Sequence, residues 1–504
     1  MLRLASLLFV LLTVYAHAAP PARAVRFTVA LAPALRSATP GTGRLFVVLS
    51  RSASREPRLG PGWADDHAEP FFGKDVATWD GKAPLTLADD ALGFPEERLS
   101  RVAPGVWYAQ ALYDTDTTFS SINAPGNLTG PPVKLTIPET GTAHFALILD
   151  RRLPDDALPP DTAQIQYVKI QSRLLSAFWK KPMFLRAAVI LPAGYAAETE
   201  RRYPLRVQIG GYGSRYTRAP GVAKRGKFEA PDTPPMLCVC LDGEAPFGDS
   251  YQVNSANNGP YGDATVQELI PEIERRYRAI GKPAARLLDG GSTGGWVALA
   301  LQIYYPDFFG GAWSFFGDGV DFRGFQLVNI YADDNAFVNR YGVERPSMRD
   351  TDGEPQFTIR REVAMENALG RGNSFVTSGG QWGGWNAVYG PRGADGLPRP
   401  IWDPRTGKID RTVADAWKPY DLRLYLAQHW ATLGPKMQGK LHIWMGDADN
   451  FYLNKAMHLL DDYLSTTTNP RSDATIVFGP GKGHGWMPFS DVELMRQMTV
   501  GVGP

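Results

Sequence analysis

A serine hydroxyl attacks well at neutral pH only beside a base that takes its proton, and that base needs an acidic partner to hold its tautomer. The chain offers these groups in the order Ser292, then Asp449 or Asp447, then His484. Ser292 lies in Gly290-Gly291-Ser292-Thr293-Gly294, a Gly-x-Ser-x-Gly pattern that is weak on its own in a chain with 52 glycines. Its context strengthens it: Leu287-Leu288 precede it, and Trp296 to Tyr305 reads as a helix stopped by Pro306. A strand, a sharp turn and a helix leave the hydroxyl exposed at the top of the turn, with glycines where side chains would clash. His484 sits in the glycine-rich run Gly479 to Trp486, just after a strand expected at Ala474 to Phe478. The other histidines fit less well. His442 falls inside a strand, His458 within a helix and His429 before a tryptophan, while His67 and His144 stand alone near the amino terminus.

Asp447 and Asp449 share the turn that follows a strand at Lys440 to Met445, and each could reach the imidazole. Asp447 could equally bond its own backbone as a turn residue. Asp318, after an earlier strand, is a further alternative for the acid. Stabilising the oxyanion takes two backbone N–H groups, one from the residue after the serine and one from a loop after an early strand. Thr293 supplies the first, and Gly210-Gly211-Tyr212-Gly213 after Leu205 to Ile209 supplies the second, at Tyr212 or Gly211.

The elements that must position these groups occupy the second part of the chain. From Val25 to about Leu149 the pattern is short β runs between Gly, Pro and Asp clusters. The clearest are Arg26–Leu31, Arg44–Leu49, Val106–Tyr113, Val133–Ile137 and His144–Leu149. This predicts an all-β sandwich over residues 19–152, without a catalytic constellation. A Pro- and Asp-rich joint at Leu153 to Asp161 follows. Residues 162–504 then alternate strands (Leu185–Leu191, Leu205–Ile209, Met236–Leu241, Ala312–Phe316) with helices, including Asp263–Ile280, where Pro271 marks a kink or a late start. Such alternation implies a mostly parallel sheet covered on both faces. Residues 317–433 break the rhythm and read as an insertion over the sheet edge. Its tryptophans (Trp382, Trp385, Trp402, Trp417, Trp430) either contact substrate as part of a lid or form a small core of their own.

Composition narrows the function classes. With 53 basic and 52 acidic residues, net charge +1 and no long charge runs, nothing favours nucleic acid or an anionic membrane as a partner. Residues 1–18 read as a signal peptide: Arg3, an apolar run from Leu4 to Val14, and Ala16-His17-Ala18 as the cleavage site. The expected location is therefore periplasmic or secreted, and no later run approaches the roughly 18 apolar residues of a membrane span. Cys238 and Cys240 share one face of a strand, where a disulfide is poorly shaped, so both read as buried thiols. Asn127-Leu128-Thr129 fits a glycosylation acceptor.

Together, Gly210-Gly211-Tyr212, Asn258-Gly259-Pro260-Tyr261-Gly262, Glu268-Leu269-Ile270-Pro271-x-Ile273-Glu274, the Gly-Gly-Ser-x-Gly-Gly turn and Gly446-x-x-Asp449-Asn450-Phe451 resemble the esterase D group of α/β-hydrolases. That group includes enterochelin, acetylxylan and feruloyl esterases, S-formylglutathione hydrolases and the antigen 85 mycolyltransferases. The resemblance spans Leu185 to about Pro488 outside the insertion. It implies an α/β-hydrolase fold, Ser292 as nucleophile, Asp449 as acid, His484 as base, and an oxyanion hole at Tyr212 and Thr293, with no metal or organic cofactor. The expected activity is hydrolysis of a carboxylic ester, small or linked to a polysaccharide. The alternatives are acyl transfer to a sugar or lipid, and a carbohydrate-binding protein with an inactive hydrolase body. The long insertion and the β region in front depart from the compact members, so their substrates do not carry over.

Overall fold

The computed structural model describes residues 23–36 and 40–502; the signal peptide read from residues 1–18 lies outside them. Eight strands form the central sheet: β1 (Ile165–Ser172), β2 (Met183–Ile190), β3 (Leu205–Ile209), β4 (Leu237–Leu241), β5 (Arg286–Gly291), β6 (Gly311–Phe315), β7 (Leu441–Gly446) and β8 (Thr475–Gly479). Their order is β1-β2-β4-β3-β5-β6-β7-β8. β2 runs antiparallel to β1 and to β4, whereas every pair from β4 onward is parallel. The inner strands are unbroken apolar runs such as Leu237-Cys238-Val239-Cys240-Leu241, buried throughout, because helices cover both faces. Cys238 and Cys240 are both free and buried. The half-exposed β1, with Lys169 and Gln171 facing out, is an edge strand without a clean alternation, and the sequence reading passed over it.

Parallel strands bring their carboxyl ends to one edge, so the loops after β3, β5, β6, β7 and β8 meet there. Those loops carry Tyr212, Ser292, Asp318, Asp449 and His484. Behind them the helix Thr293–Tyr304 is buried along nearly its whole length. The helix expected over Asp263–Ile280 runs instead as Tyr261–Ala264, a π-turn at Thr265–Leu269, and Ile270–Arg276. Pro271 has no N–H to donate, so the ladder widens ahead of it and restarts with proline in the first turn.

Between β6 and β7 lie a hairpin (Pro346–Arg349 with Pro355–Thr358) and the helices Ile359–Leu369, Gln381–Tyr389 and Arg411–Ala416. The α/β alternation resumes at the helix Leu422–Met437, before the expected limit at 433. Asp421 caps that helix by accepting the Leu424 N–H, and Tyr425 packs edge-on against Tyr304. Trp430 therefore belongs to a helix of the sheet layer. The remaining tryptophans form one aromatic stack: Trp382 meets Trp385 at 4.8 Å and Trp402 at 4.9 Å, and Trp417 meets Tyr389 at 5.2 Å. Tyr389 in turn packs 5.3 Å from Trp296 of the serine helix. The insertion thus shares the core of the sheet rather than keeping one of its own.

Ahead of the sheet, a three-stranded sheet (Leu85–Leu87, Arg23–Leu31, Gly141–Leu149) faces a seven-stranded one built on Gly43–Ser50 and Gly105–Asp114. Phe27, Leu147, Val47, Trp107 and Tyr113 from both sheets pack into one apolar cluster. The outer face of the larger sheet is apolar too. Phe46, Val48, Phe71 and Leu112 pack with Phe357, Met365 and Ala368 of the insertion. Asn127 is buried, its Nδ2 donating to Asp114 Oδ1 and the Ile122 carbonyl, so this fold does not present it to glycosylation.

Arg44 ties the two parts together. Fully buried, it donates to Asp75 at 2.7 Å, to the Ala368 carbonyl at 3.0 Å and to Asn373 Oδ1 at 2.9 Å. Replacing it with methionine keeps most of the volume but strands these acceptors, and should lower the unfolding free energy by about 2–4 kcal/mol. Urea unfolding monitored by tryptophan fluorescence measures this. An unchanged midpoint would mean that the junction adds nothing to stability.

Candidate active site

Ser292 occupies a turn that few side chains tolerate, with φ 59° and ψ −128°. Such a conformation costs roughly 1–3 kcal/mol and persists only where the surroundings hold it. Here the Ser292 N–H donates to the Phe315 carbonyl at 3.1 Å, and its carbonyl accepts from Gly295 at 2.8 Å, Trp296 at 3.2 Å and Asp318 at 3.2 Å. A side chain at Gly294 would strike the carbonyls of Ile209 and Gly210, so the helix can approach β3 only with glycine there. Below the turn, Asp289 and Arg206 form a buried bidentate pair at 2.7 and 2.8 Å that locks β5 to β3. Sequence reading missed this pair, although a lone arginine and a lone aspartate in neighbouring apolar strands are a signal for it.

The imidazole of His484 donates from Nδ1 to Asp449 Oδ2 at 2.7 Å. An ionised carboxylate only accepts, so this bond puts the proton on Nδ1 and leaves Nε2 free as a base. Asp449 is fully buried, and its Oδ1 accepts the N–H groups of Phe451 at 2.9 Å and Leu453 at 3.2 Å. Asn450 joins the two loops by accepting the His484 N–H at 2.8 Å. Phe316 and Phe451 meet the ring edge-on at 4.8 and 4.9 Å and restrict its rotation. Asp447 points elsewhere, with its Oδ1 2.8 Å from Nε2 of His458. Of the two aspartates in the turn, Asp449 is the one in contact with His484. His442 stacks on Trp313, and His429 packs against Tyr425.

Ser292, His484, Tyr212 and Asp318 line one cavity of about 670 Å³. Among the described residues the Ser292 hydroxyl makes no hydrogen bond to the imidazole. The Thr293 and Tyr212 N–H groups likewise have no protein acceptor there, as oxyanion donors require. The Tyr212 hydroxyl is anchored on the Gly380 carbonyl at 2.6 Å, which fixes the backbone that carries its N–H. The front β region supplies one wall through Trp63 and Ser120 to Asn123, and the insertion another through Glu362, Glu366 and Trp385. Burial, with Glu362 nearby, pushes Glu366 up to about 8 against hydrogen bonds from Ser378, Gly383 and Trp382. Burial also raises Asp318 above the usual carboxylate range.

A scan against protein-family models and a search of curated proteins gave no match. Solved structures similar to this chain include a ferulic acid esterase, at 14% identity over 67% of this chain and 97% of that one, with a TM-score of 0.40. A fluorophosphonate-binding serine hydrolase F of Staphylococcus aureus stands at 15% identity, 68% and 100% coverage and 0.40. An S-formylglutathione hydrolase of Agrobacterium tumefaciens stands at 13%, 68% and 95%, and 0.37. These neighbours are of the esterase kind that the sequence motifs resemble. Identities and scores this low assign no activity, so the functional reading rests on the chain's own side chains.

The separate pairings of Asp449 and Asp447 give a sharp expectation. Asp449→Asn should favour the wrong imidazole tautomer and cut kcat by about 10⁴-fold, the loss seen in a comparable triad. Asp447→Asn should leave kcat within roughly threefold, since it removes an exposed contact with His458. Steady-state hydrolysis of a chromogenic ester by both variants measures this, and the reverse ranking would move the acid to Asp447.

Proposed function

We propose that the protein is an exported serine esterase that cleaves carboxylic esters through an acyl-enzyme. The observation that carries this reading is the 2.7 Å contact between His484 Nδ1 and Asp449 in the cavity that also holds the strained Ser292. In this reading His484 Nε2 takes the Ser292 proton as Oγ attacks the ester carbonyl. The Thr293 and Tyr212 N–H groups hold the oxyanion, and the same imidazole returns the proton to the departing alcohol. Water, activated by His484, then attacks the acyl-serine and releases the acid. The positive, apolar and small-residue segments of residues 1–18 support export.

The insertion acts as a lid in this reading, because its helices contribute Glu362, Glu366 and Trp385 to the wall of the cavity that holds Ser292. The front β region serves as a fixed second wall and not as a detachable module. Catalysis sets it apart from a carbohydrate-binding protein with an inactive body: the serine turn stores strain that a purely structural role would not need.

A fluorophosphonate probe tests the proposal. It should label wild-type protein at Ser292, fail on Ser292→Ala, and label His484→Ala at least about 100-fold more slowly. Unlabelled, folded wild-type protein would refute the serine-hydrolase reading. Product analysis with a sugar acceptor present separates hydrolysis, which yields free acid, from acyl transfer, which yields a new ester.

A further inference from the structure

The charged side chains of the catalytic cavity are mostly acidic: Asp318, Glu244, Glu362 and Glu366 stand against one arginine, Arg215, among neutral serine, asparagine and glutamine side chains. Asp318, Glu362 and Glu366 line it, and among the described residues no lysine or arginine lies within 4.0 Å of any of their carboxylates. The single guanidinium in the lining, Arg215, is already committed to Asp242 at 2.5 Å and Asp156 at 3.4 Å. Glu366 is consumed by the structure, accepting from Ser378 Oγ and from the N–H groups of Trp382 and Gly383. Asp318 is different. It is 1% exposed, and donors converge on one oxygen only: Tyr251 O–H at 2.7 Å, Thr293 Oγ at 3.0 Å and the Trp385 indole N–H at 3.1 Å all reach Oδ2. Oδ1 is buried without a partner. Glu362 likewise receives Ser347 and Trp382 on Oε2 alone.

Buried charge is costly unless it is paired: burial raises Asp318 and Glu362 above the usual carboxylate range, and a cation arriving beside them supplies the counter-charge that favours their ionised forms. Among the described residues no three His, Cys, Asp or Glu side chains gather closely enough to hold a metal ion. The lining also offers aromatic rings, the exposed Trp63 (57%) and the half-buried Phe451, of the kind that attract an organic cation.

Building on the serine-esterase reading, we infer that the cavity selects esters carrying an ammonium group, which seats against Asp318 and Glu362 and is excluded if replaced by a carboxylate. The Asp318 N–H bonds the Ser292 carbonyl, so this carboxylate lies beside the reacting centre and a short ammonium ester can reach both. The charge can sit on the alcohol or on the acyl side, and the substrates tested distinguish the two.

The test compares shape-matched pairs at low ionic strength. Acetylcholine against 3,3-dimethylbutyl acetate places the charge on the alcohol, and glycine betaine methyl ester against methyl 3,3-dimethylbutyrate places it on the acyl group. In wild-type protein kcat/KM should favour the cationic member of at least one pair by roughly tenfold. The preference should shrink as salt is added. Glu362→Gln and Asp318→Asn should each lower the cationic-to-neutral ratio several-fold, with the ratio taken within each variant so that a general loss of activity cancels. A thermal-shift measurement needs no turnover: choline should raise the melting temperature of wild-type protein more than 3,3-dimethylbutanol does. If fluorophosphonate labels Ser292 and neutral esters are cleaved, but neither cationic ester is preferred and choline does not stabilise, the ammonium inference is overturned while the esterase reading stands. If choline stabilises selectively and no ester is cleaved, the cation site stands and the esterase reading falls.

Discussion

The backbone of Ser292 is held where a side chain is rarely tolerated, and much of the molecule serves to hold it there. The strain of roughly 1–3 kcal/mol is small beside what its neighbours contribute. The following helix, Thr293–Tyr304, buries eleven of its twelve residues, and each large apolar side chain among them contributes about 1.5–3 kcal/mol. Three backbone N–H groups converge on the Ser292 carbonyl, and the Arg206–Asp289 pair prevents β3 and β5 from slipping beneath it. The glycine at 294 is the geometric condition, because a side chain there would strike the Ile209 and Gly210 carbonyls and push the helix away from β3.

Two kinds of buried carboxylate lie within this one site, and their environments separate their roles. Asp449 receives two backbone N–H groups on one oxygen and an imidazole N–H on the other, so its charge is fully used in orienting His484. Asp318 has all its donors on Oδ2 and none on Oδ1. Its Oδ2 serves the structure through Tyr251, Thr293 and Trp385, and its bare Oδ1 is the acceptor that the ammonium inference assigns to an arriving cation.

The cavity belongs to no single segment. The front sheets turn an apolar face toward the insertion and lend Trp63 and Ser120 to Asn123 to its wall, and the insertion packs its tryptophans onto the helix that carries the serine. With buried Arg44 bridging front sheet and insertion, rearranging one wall disturbs the others. This coupling holds the carboxylates of the insertion in fixed positions on the cavity wall.

Much of this could be read from local pattern. The strands from Leu205–Ile209 to Leu441–Gly446 stood out because buried parallel strands are continuous apolar runs between turn residues, and Gly290 to Gly294 announced the turn because only glycine suits its flanks. Ser292, His484 and the paired choice of Asp447 or Asp449 followed from residue chemistry and chain order. Local pattern could not separate the two aspartates, two residues apart in one turn, because the choice depends on which carboxylate the loop after β8 meets; tertiary packing gave Asp449 to His484 and Asp447 to His458. Nor could it reveal the bare oxygen of Asp318, the Arg206–Asp289 pair or the front sheet's place in the cavity wall. Those contacts join residues 67, 83 and more than 100 positions apart, and nothing in a local window records a partner that far along the chain.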